Sequence, residues 1–338
     1  MPKLCVIPGD GIGKEVVPAA VEVLQAISSD LEIVTADAGW ECFQRTGSSV
    51  PEETLSAIKT CGSALFGAVS SPSRKVEGYR SAIITMRQSL NLFANIRPVK
   101  SLPRLSPRDD VDMIIVRENT EGLYSGIERS NGEKAIAERV ITREASINIA
   151  NRAMQLAKSL ERKRLTIVHK ANILPMTDGL FRDACREVAE EYAQGGFSME
   201  VDELLVDVAA LKMISDPIRF DVLVTTNLFG DILSDAAAYW CGGLEMAPSL
   251  NWGNNVAVAE PVHGSAPDIV GKGIANPIAA ILSGALLVQH IWGQPELAKM
   301  IKQAVHQTLS QNIGNPFMTN TPHHTRQITD SILSNLNL

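Results

Sequence analysis

The sequence predicts an α/β protein with buried, largely parallel strands arranged in about two domains. Three observations lead there: short apolar runs rich in β-branched residues recur along the chain, amphipathic stretches separate them, and polar or glycine-rich turns follow them. A length of 338 residues fits about two domains on the usual prior of roughly 150 residues each.

The strand-like runs are residues 4–7, 64–69, 111–116, 165–168, 222–226 and 256–259. Each is short and apolar on both faces, as a strand covered by helices on both sides must be. Between them, residues 14–27, 141–159, 178–192 and 231–239 place apolar side chains three and four apart, the spacing of a helix with one buried face. Residues 98–110 (PVKSLPRLSPRDD), with three prolines, and 242–253, with three glycines and Pro248, are candidate crossovers between domains.

Composition narrows the function. Lys plus Arg number 31 against 38 Asp plus Glu, a net charge of -7, with no long basic run to neutralise phosphates, so a nucleic-acid binder is not expected. No window approaches the roughly 18 uninterrupted apolar residues of a membrane span. The five cysteines, Cys5, Cys42, Cys61, Cys185 and Cys241, form no CxxC pair and are odd in number, which argues against a disulfide framework or a structural zinc. They are expected to be core thiols. With an N-terminus that opens directly into an apolar strand, the expected location is cytoplasmic.

Polar residues cluster after successive runs: glycines at 9, 11 and 13, Ser70 and Ser71, residues 117–124, 170–172, Asp207, and 227–235. In open α/β sheets ligands bind beyond the carboxyl ends of the strands, so these groups are expected in a ligand cleft. The segment PGDGIG (8–13) has its glycines at the wrong spacing for the dinucleotide fingerprint. It reads equally as a ligand-proximal turn or as a steric one.

Arg87 lies on a predicted helix, Arg97 precedes Pro98 and is therefore extended, and Arg117 closes a buried run. A guanidinium presents a fixed fork matched to carboxylates, and three of them suit a substrate with more than one carboxylate. Arg117, at the end of VDMIIV, must enter a cleft or face a buried partner. Asp231 and Asp235 stand one helical turn apart on one face, where like charges repel unless a cation lies between. Mg²⁺ or Mn²⁺ suits such oxygen donors, and Asp207 could add a third; the alternative has Asp231 as a helix N-cap and Asp235 solvated. Lys170 after the strand TIVH could serve as a base and Tyr124 as an acid, against the alternatives of a snorkelling lysine and a half-buried tyrosine.

Together these strings resemble the β-decarboxylating dehydrogenases of 2-hydroxy acids: isocitrate, 3-isopropylmalate, homoisocitrate and tartrate dehydrogenases. The resemblance spans the chain, through PGDGIG, RENTEGLY (117–124), HKANILPMTDGLF (169–181), NLFGDILSD (227–235) and EPVHGSAPDIVGKGIANP (260–277). It implies the isocitrate/isopropylmalate dehydrogenase-like two-domain α/β fold and not a Rossmann fold. A larger domain with the NAD-binding loops would comprise residues 1–99 plus 244–338, and a central domain at 100–243 would carry the dimer interface and metal-site residues. The resemblance also implies a homodimer or higher homo-oligomer with shared active sites.

Carried over residue by residue, the resemblance makes Tyr124, Lys170 and Asp207 catalytic. It places Ser71, Ser81, Arg87, Arg97, Arg117, Tyr124, Lys170 and Asn172 around the substrate, and Asp207, Asp231 and Asp235 on Mg²⁺ or Mn²⁺, with Asp207 and Lys170 coming from the other chain. The NAD contacts would be Asn172, Glu260, His263, Gly264, Ser265, Ala266, Asp268, Ile269 and Asn276. Asp268 suits the adenosine ribose hydroxyls, where NADP-using relatives tend to have Lys, with Tyr in place of Ile269. Leu211 stands where many members have Met and reads as a packing change.

For the substrate, isocitrate enzymes typically carry S-x-N before the first arginine, but Ser81 is followed by Ala82 and Ile83. Isopropylmalate enzymes carry two leucines where Ile83 and Ile84 stand, an ELTGG-type turn where ENTEG (118–122) stands, and an acidic residue at Arg80. The strings SSPSRKVEGY (70–79), AGWECF (38–43) and VPEET (50–54) look most like homoisocitrate enzymes. The expected reaction is therefore NAD-dependent conversion of homoisocitrate to 2-oxoadipate, as in lysine biosynthesis, with isopropylmalate or isocitrate as alternatives. A distal carboxylate would need Ser71, Ser81, Arg80 or water, since the two isoleucines cannot pair it. A non-catalytic regulatory subunit is the alternative of a different class; the intact Tyr124, Lys170, three aspartates and three arginines argue against it.

Overall fold

The computed structural model describes residues 1–74, 76–315 and 324–336; Lys75 of the string at 70–79 lies outside them. The N-terminal stretch carries β1 (Lys3–Gly9), α1 (Gly13–Ile27), β2 (Glu32–Thr35), α2 (Trp40–Thr46), α3 (Glu52–Cys61), β3 (Ser63–Ala68), α4 (Ala82–Ser89) and β4 (Ala94–Lys100). Next come β5 (Asp112–Glu118), the hairpin β6 (Glu128–Ser130) and β7 (Ala135–Ala137), α5 (Arg143–Ser159), β8 (Arg164–His169), α6 (Thr177–Gln194) and β9 (Glu200–Leu205). α7 (Val206–Ser215), β10 (Val222–Thr225) and α8 (Asn227–Ala237) follow, then β11 (Pro248–Trp252), β12 (Ala257–Pro261), α9 (Ile278–His290), α10 (Pro295–Ser310) and α11 (Thr325–Ser334).

The chain divides into two compact units, one of Met1–Leu92, Ser101–Asp109 and Cys241–Leu338, the other of Phe93–Lys100 and Asp110–Trp240. In the first, the strands run in the order β2-β1-β3-β12-β11, all parallel except β11, which is antiparallel to β12. In the second the order is β4-β5-β10-β8-β9, with β4 antiparallel to β5 and the rest parallel. The six apolar runs of the sequence are β1, β3, β5, β8, β10 and β12. All six residues of β3 are buried, as befits a strand in a sheet covered on both faces.

Two local readings need correction. Residues 242–253 are not simply a crossover, because they contain β11, whose Ser249 and Asn251 side chains are buried and hydrogen-bonded. α8 begins at Asn227 instead of residue 231, with Thr226 at the N-cap position, so Asp231 lies inside the helix and is not its cap. Gly230 inside this helix is a packing glycine: a Cβ there would lie 2.5 Å from Arg117 Cγ. Asp207 stands just after the end of β9, as expected, in the first turn of α7.

α9 escapes the amphipathic pattern because Ile278–Val288 are all buried, and a helix apolar all round has no polar stripe to set a period. The cysteines are free; four are buried, and burial pushes the thiols of Cys5 and Cys241 up to about 12, which leaves them unreactive. Leu211 is 63% exposed on α7, so its side chain fills no core of this chain. No helix among the described residues is long and apolar enough to cross a membrane.

Candidate active site

Within the second unit, β4, β5 and α8 assemble one polar cluster. Arg117, only 1% exposed near the end of β5, gives its Nε and Nη2 to Asn227 Oδ1 at 3.1 and 2.7 Å and its Nη1 to Asp231. Arg97 on β4 gives Nε to Asn95 at 2.7 Å and Nη1 to Ser234 and Asp235, both at 2.7 Å. Its Nη2 lies 3.7 Å from Asp231, so this guanidinium bridges the two carboxylates that one turn of α8 brings together.

Tyr124 completes the cluster, its hydroxyl donating to Asp231 and its ring facing Arg117 Cζ at 5.2 Å. Burial first, then the hydrogen bond and charge of Asp231, raise the phenol above its ordinary value. It therefore stays protonated at neutral pH, as a proton donor must. Gly122, at φ +77, and its backbone bonds with Val140 turn the chain so that Tyr124 reaches α8.

Lys170 and Asp207 form a second pair in the same unit. Lys170 Nζ lies 2.6 Å from Asp207 Oδ1, and that bond lowers the Asp207 carboxyl below the usual range. Asn172 is exposed two residues further on. Among the described residues, no group of three or more His, Cys, Asp and Glu side chains is placed to hold a metal within one chain. The donors that fit a hard divalent cation are the Asp231 and Asp235 oxygens, held a turn apart with a cationic guanidinium already between them.

In the first unit, Arg87 on α4 is buried, with Nε on Asn251 at 3.0 Å and Nη2 on Glu260 at 3.2 Å. Glu260 is thus tied to Arg87 and Asn251. Ser81 stands at the N-cap position of α4 without making a cap bond, and Ser71 is exposed. The loop after β12 is stapled to its surroundings: Ile12 N–H donates to Ser265 O at 3.0 Å, Ser70 and Ser265 hydroxyls lie 2.8 Å apart, and Gly271 N–H donates to Glu15 at 2.7 Å.

Gly11 is glycine for that contact, since a Cβ would lie 2.2 Å from Ser265 O; the PGDGIG turn has its steric role here. Ala266 holds a positive φ of 39°, a local strain within the loop. Asp268 is exposed and makes no hydrogen bond with the described residues. His263 Nε2 is buried without a partner while burial lowers the imidazole's pKa, leaving a neutral ring with an orphan nitrogen that a nucleotide could satisfy. Gly264 is exposed and Ile269 partly so, whereas the Asn276 amide is taken up by Gly314 O and the Ile278 N–H at the start of α9.

Sequence reasoning did not single out Asn95, Asn251 or Ser234, which orient the arginines, because one polar residue inside a strand or helix carries no pattern. Asp10 was also missed: buried at 1% exposure, it caps α2 from 30 residues away by accepting the N–H groups of Trp40 and Glu41, and it accepts that of Ser70.

Glu121 lies in the turn before Tyr124, where it accepts the N–H and hydroxyl of Thr142, each at 2.9 Å. Burial is the main cause that raises its carboxyl to about 6. Its contribution to stability is therefore complete below the ordinary value of 4.5 and is lost as pH rises through about 6. Glu121→Gln should cost more stability at pH 4.5 than at pH 7. Thermal unfolding of both proteins at the two pH values reads this; equal differences would show that Glu121 titrates normally.

The fold and these clusters belong to a dehydrogenase of the β-decarboxylating class. The chain belongs to the isocitrate/isopropylmalate dehydrogenase family, whose sequence model matches residues 3–332. An isocitrate/homoisocitrate dehydrogenase of Thermus thermophilus is 52% identical over 314 residues, covering 93% of this chain and 92% of the relative. A 3-isopropylmalate dehydrogenase of Methanothermobacter thermautotrophicus is 48% identical over 317 residues, covering 93% and 92%. The crystal structure of isocitrate dehydrogenase from Methylococcus capsulatus superimposes with a TM-score of 0.93 at 42% identity, covering 100% of both chains.

Proposed function

We propose that this chain oxidises and decarboxylates homoisocitrate with NAD, yielding 2-oxoadipate, CO₂ and NADH. The observation that carries the reaction class is the cluster of Arg97, Arg117, Tyr124, Asp231 and Asp235, whose side chains are already held in bonding geometry. The choice of homoisocitrate rests on the strings at 38–43, 50–54 and 70–79 and on the similarity to the Thermus isocitrate/homoisocitrate dehydrogenase.

In this reading Arg87, Arg97 and Arg117 bind substrate carboxylates; the Asn95, Asn227 and Asn251 acceptors fix the direction of each fork. Asp231 and Asp235, with Asp207 of the partner subunit, would hold Mg²⁺ or Mn²⁺, which when bound polarises the substrate hydroxyl and the adjacent carboxylate. Lys170 of the partner subunit, as the free amine and through water or Asp207, takes up the hydroxyl proton as the hydride passes to the nicotinamide. After CO₂ leaves, Tyr124 returns a proton to the carbon that lost it.

A homodimer is supported by exposed apolar side chains on the second unit: Leu211 and Ile214 of α7, Ile232 of α8 and Tyr239 just after it are each at least 60% exposed. Asp207 lies at the start of that same helix, where the Lys170 pair would meet a partner.

A parallel assay of NAD reduction with homoisocitrate, isocitrate and 3-isopropylmalate tests the substrate. Homoisocitrate should give the highest kcat/KM. A higher value for isopropylmalate would mean that Ile83 and Ile84 decide the choice; one for isocitrate would mean that the missing Asn does not matter.

The cofactor prediction is separate. The exposed Asp268 carboxylate should accept the ribose hydroxyls and repel a 2′-phosphate, so NAD should be preferred to NADP and Asp268→Lys should move the preference toward NADP. Equal kcat/KM with both cofactors in the unaltered enzyme would overturn it.

A further inference from the structure

Asp178 is fully buried, at 0% exposure, at the start of α6, and the roles assigned above do not use it. Its Oδ2 accepts the Lys170 backbone N–H at 2.6 Å, and its Oδ1 is paired with Arg139. Arg139 in turn gives Nη1 to the Thr177 hydroxyl and Nη2 to the Thr226 hydroxyl, each at 3.0 Å, and its Cζ stands 5.2 Å from the centre of the Phe229 ring. Thr226 occupies the N-cap position of α8, the helix that carries Asp231 and Asp235, and Phe229 lies in its first turn.

We propose that the Arg139–Asp178 pair positions the reacting groups: Asp178 fixes the main chain at Lys170, and Arg139 locks that anchor to the start of α8. The inference rests on the reading that Lys170 and the α8 aspartates act in the reaction. A buried ion pair is a poor source of net stability, because desolvation offsets most of the attraction, so stability alone gives this pair little reason to exist. An apolar pair of equal volume would leave the Lys170 N–H without an acceptor and α8 without its tether.

His169 reinforces the anchor. Its Nδ1 accepts the Ala171 N–H at 3.1 Å, and its Nε2 lies 3.3 Å from Glu203, so successive N–H groups after β8 are held by side chains of the second unit. Lys170 is long, and the reach of the Nζ that meets Asp207 is set where its main chain is pinned. A displacement of about 1 Å at a reacting group can cost on the order of 10²-fold in rate.

The test is a double-mutant cycle on the full-length enzyme with NAD, Mn²⁺ and the preferred hydroxy acid. The Arg139→Met/Asp178→Asn protein, which removes both charges together, should lose about 10- to 100-fold in kcat, with KM for NAD within about threefold of the unaltered enzyme. In a Lys170→Met background the same pair should cost clearly less further than in the unaltered enzyme, because the anchor at Lys170 no longer matters and only the tether to α8 is still lost.

An equal loss in both backgrounds, tracking the folded fraction, would mean a structural role and overturn the proposal, as would an unchanged kcat. Should the double variant not fold, Thr226→Val keeps the β-branched shape, loses the acceptor for Arg139, and should lower kcat about three- to tenfold; unchanged kcat there overturns the proposal. An unaltered enzyme that oxidises none of the hydroxy acids would count against the functional reading and not against this one.

Discussion

Lys170→Met and Tyr124→Phe should each lower kcat by about 10²–10⁴-fold, the usual contribution of a positioned acid or base. The two losses have different origins. Methionine keeps the length and apolar stem of Lys170 but cannot take the proton of the substrate hydroxyl, and it leaves Asp207 without its partner at 2.6 Å. Phenylalanine keeps the ring that faces Arg117 and removes only the hydroxyl that donates to Asp231. Folding should survive both, since Lys170 Nζ pairs with an exposed carboxylate and Tyr124 is only half buried. Steady-state kinetics with unfolding midpoints on the same samples separate chemistry from stability. A loss below about threefold in either variant would remove that residue from the proton transfers.

The second large effect is expected from a residue that carries no chemistry. Gly230→Ala puts a Cβ 2.5 Å from Cγ and 2.7 Å from Cβ of Arg117, atoms near the root of a side chain that is 1% exposed and cannot swing aside. Alanine is better than glycine inside a helix by about 1 kcal/mol. Overpacking costs about 1–3 kcal/mol and should outweigh that gain. The larger consequence is geometric: Arg117 must move off Asn227 and Asp231, so its fork no longer faces a carboxylate. Catalytic efficiency should fall by about 10²-fold with a modest drop in unfolding temperature. Efficiency within about threefold of the unaltered enzyme would show that α8 yields and Arg117 does not.

This glycine also shows where reading the sequence stops. The strands β1, β3, β5, β8, β10 and β12 were legible because a strand buried on both faces is a run of apolar residues bounded by polar ones. α9 was not, since burial on every side erases the helical period, and the start of α8 was not, because Gly230 signals a turn unless the close approach of Arg117 is known. Arg117 was expected to enter a cleft or face a buried partner; Asn227 is a buried partner, and the part-exposed Asp231 takes its remaining nitrogen. The acceptors Asn95 and Asn251 had no signal, because their meaning lies in which guanidinium they face, two residues along the same strand for Asn95 and on another element for Asn251. Asp10 is the same case in another form, a helix cap supplied by tertiary contact instead of by the neighbouring residue.

In the proposed function, the cluster of Tyr124, Asp231 and Asp235 works with Lys170 and Asp207 of the partner subunit. Mixing Tyr124→Phe and Lys170→Met homodimers and allowing subunit exchange tests it most directly. In a mixed dimer one site collects both lesions and the other has none, and about half of a random pool is mixed, so roughly a quarter of the unaltered activity should return. If exchange is confirmed and no activity returns, Lys170 and Tyr124 serve the same site from one chain, and the shared site is contradicted.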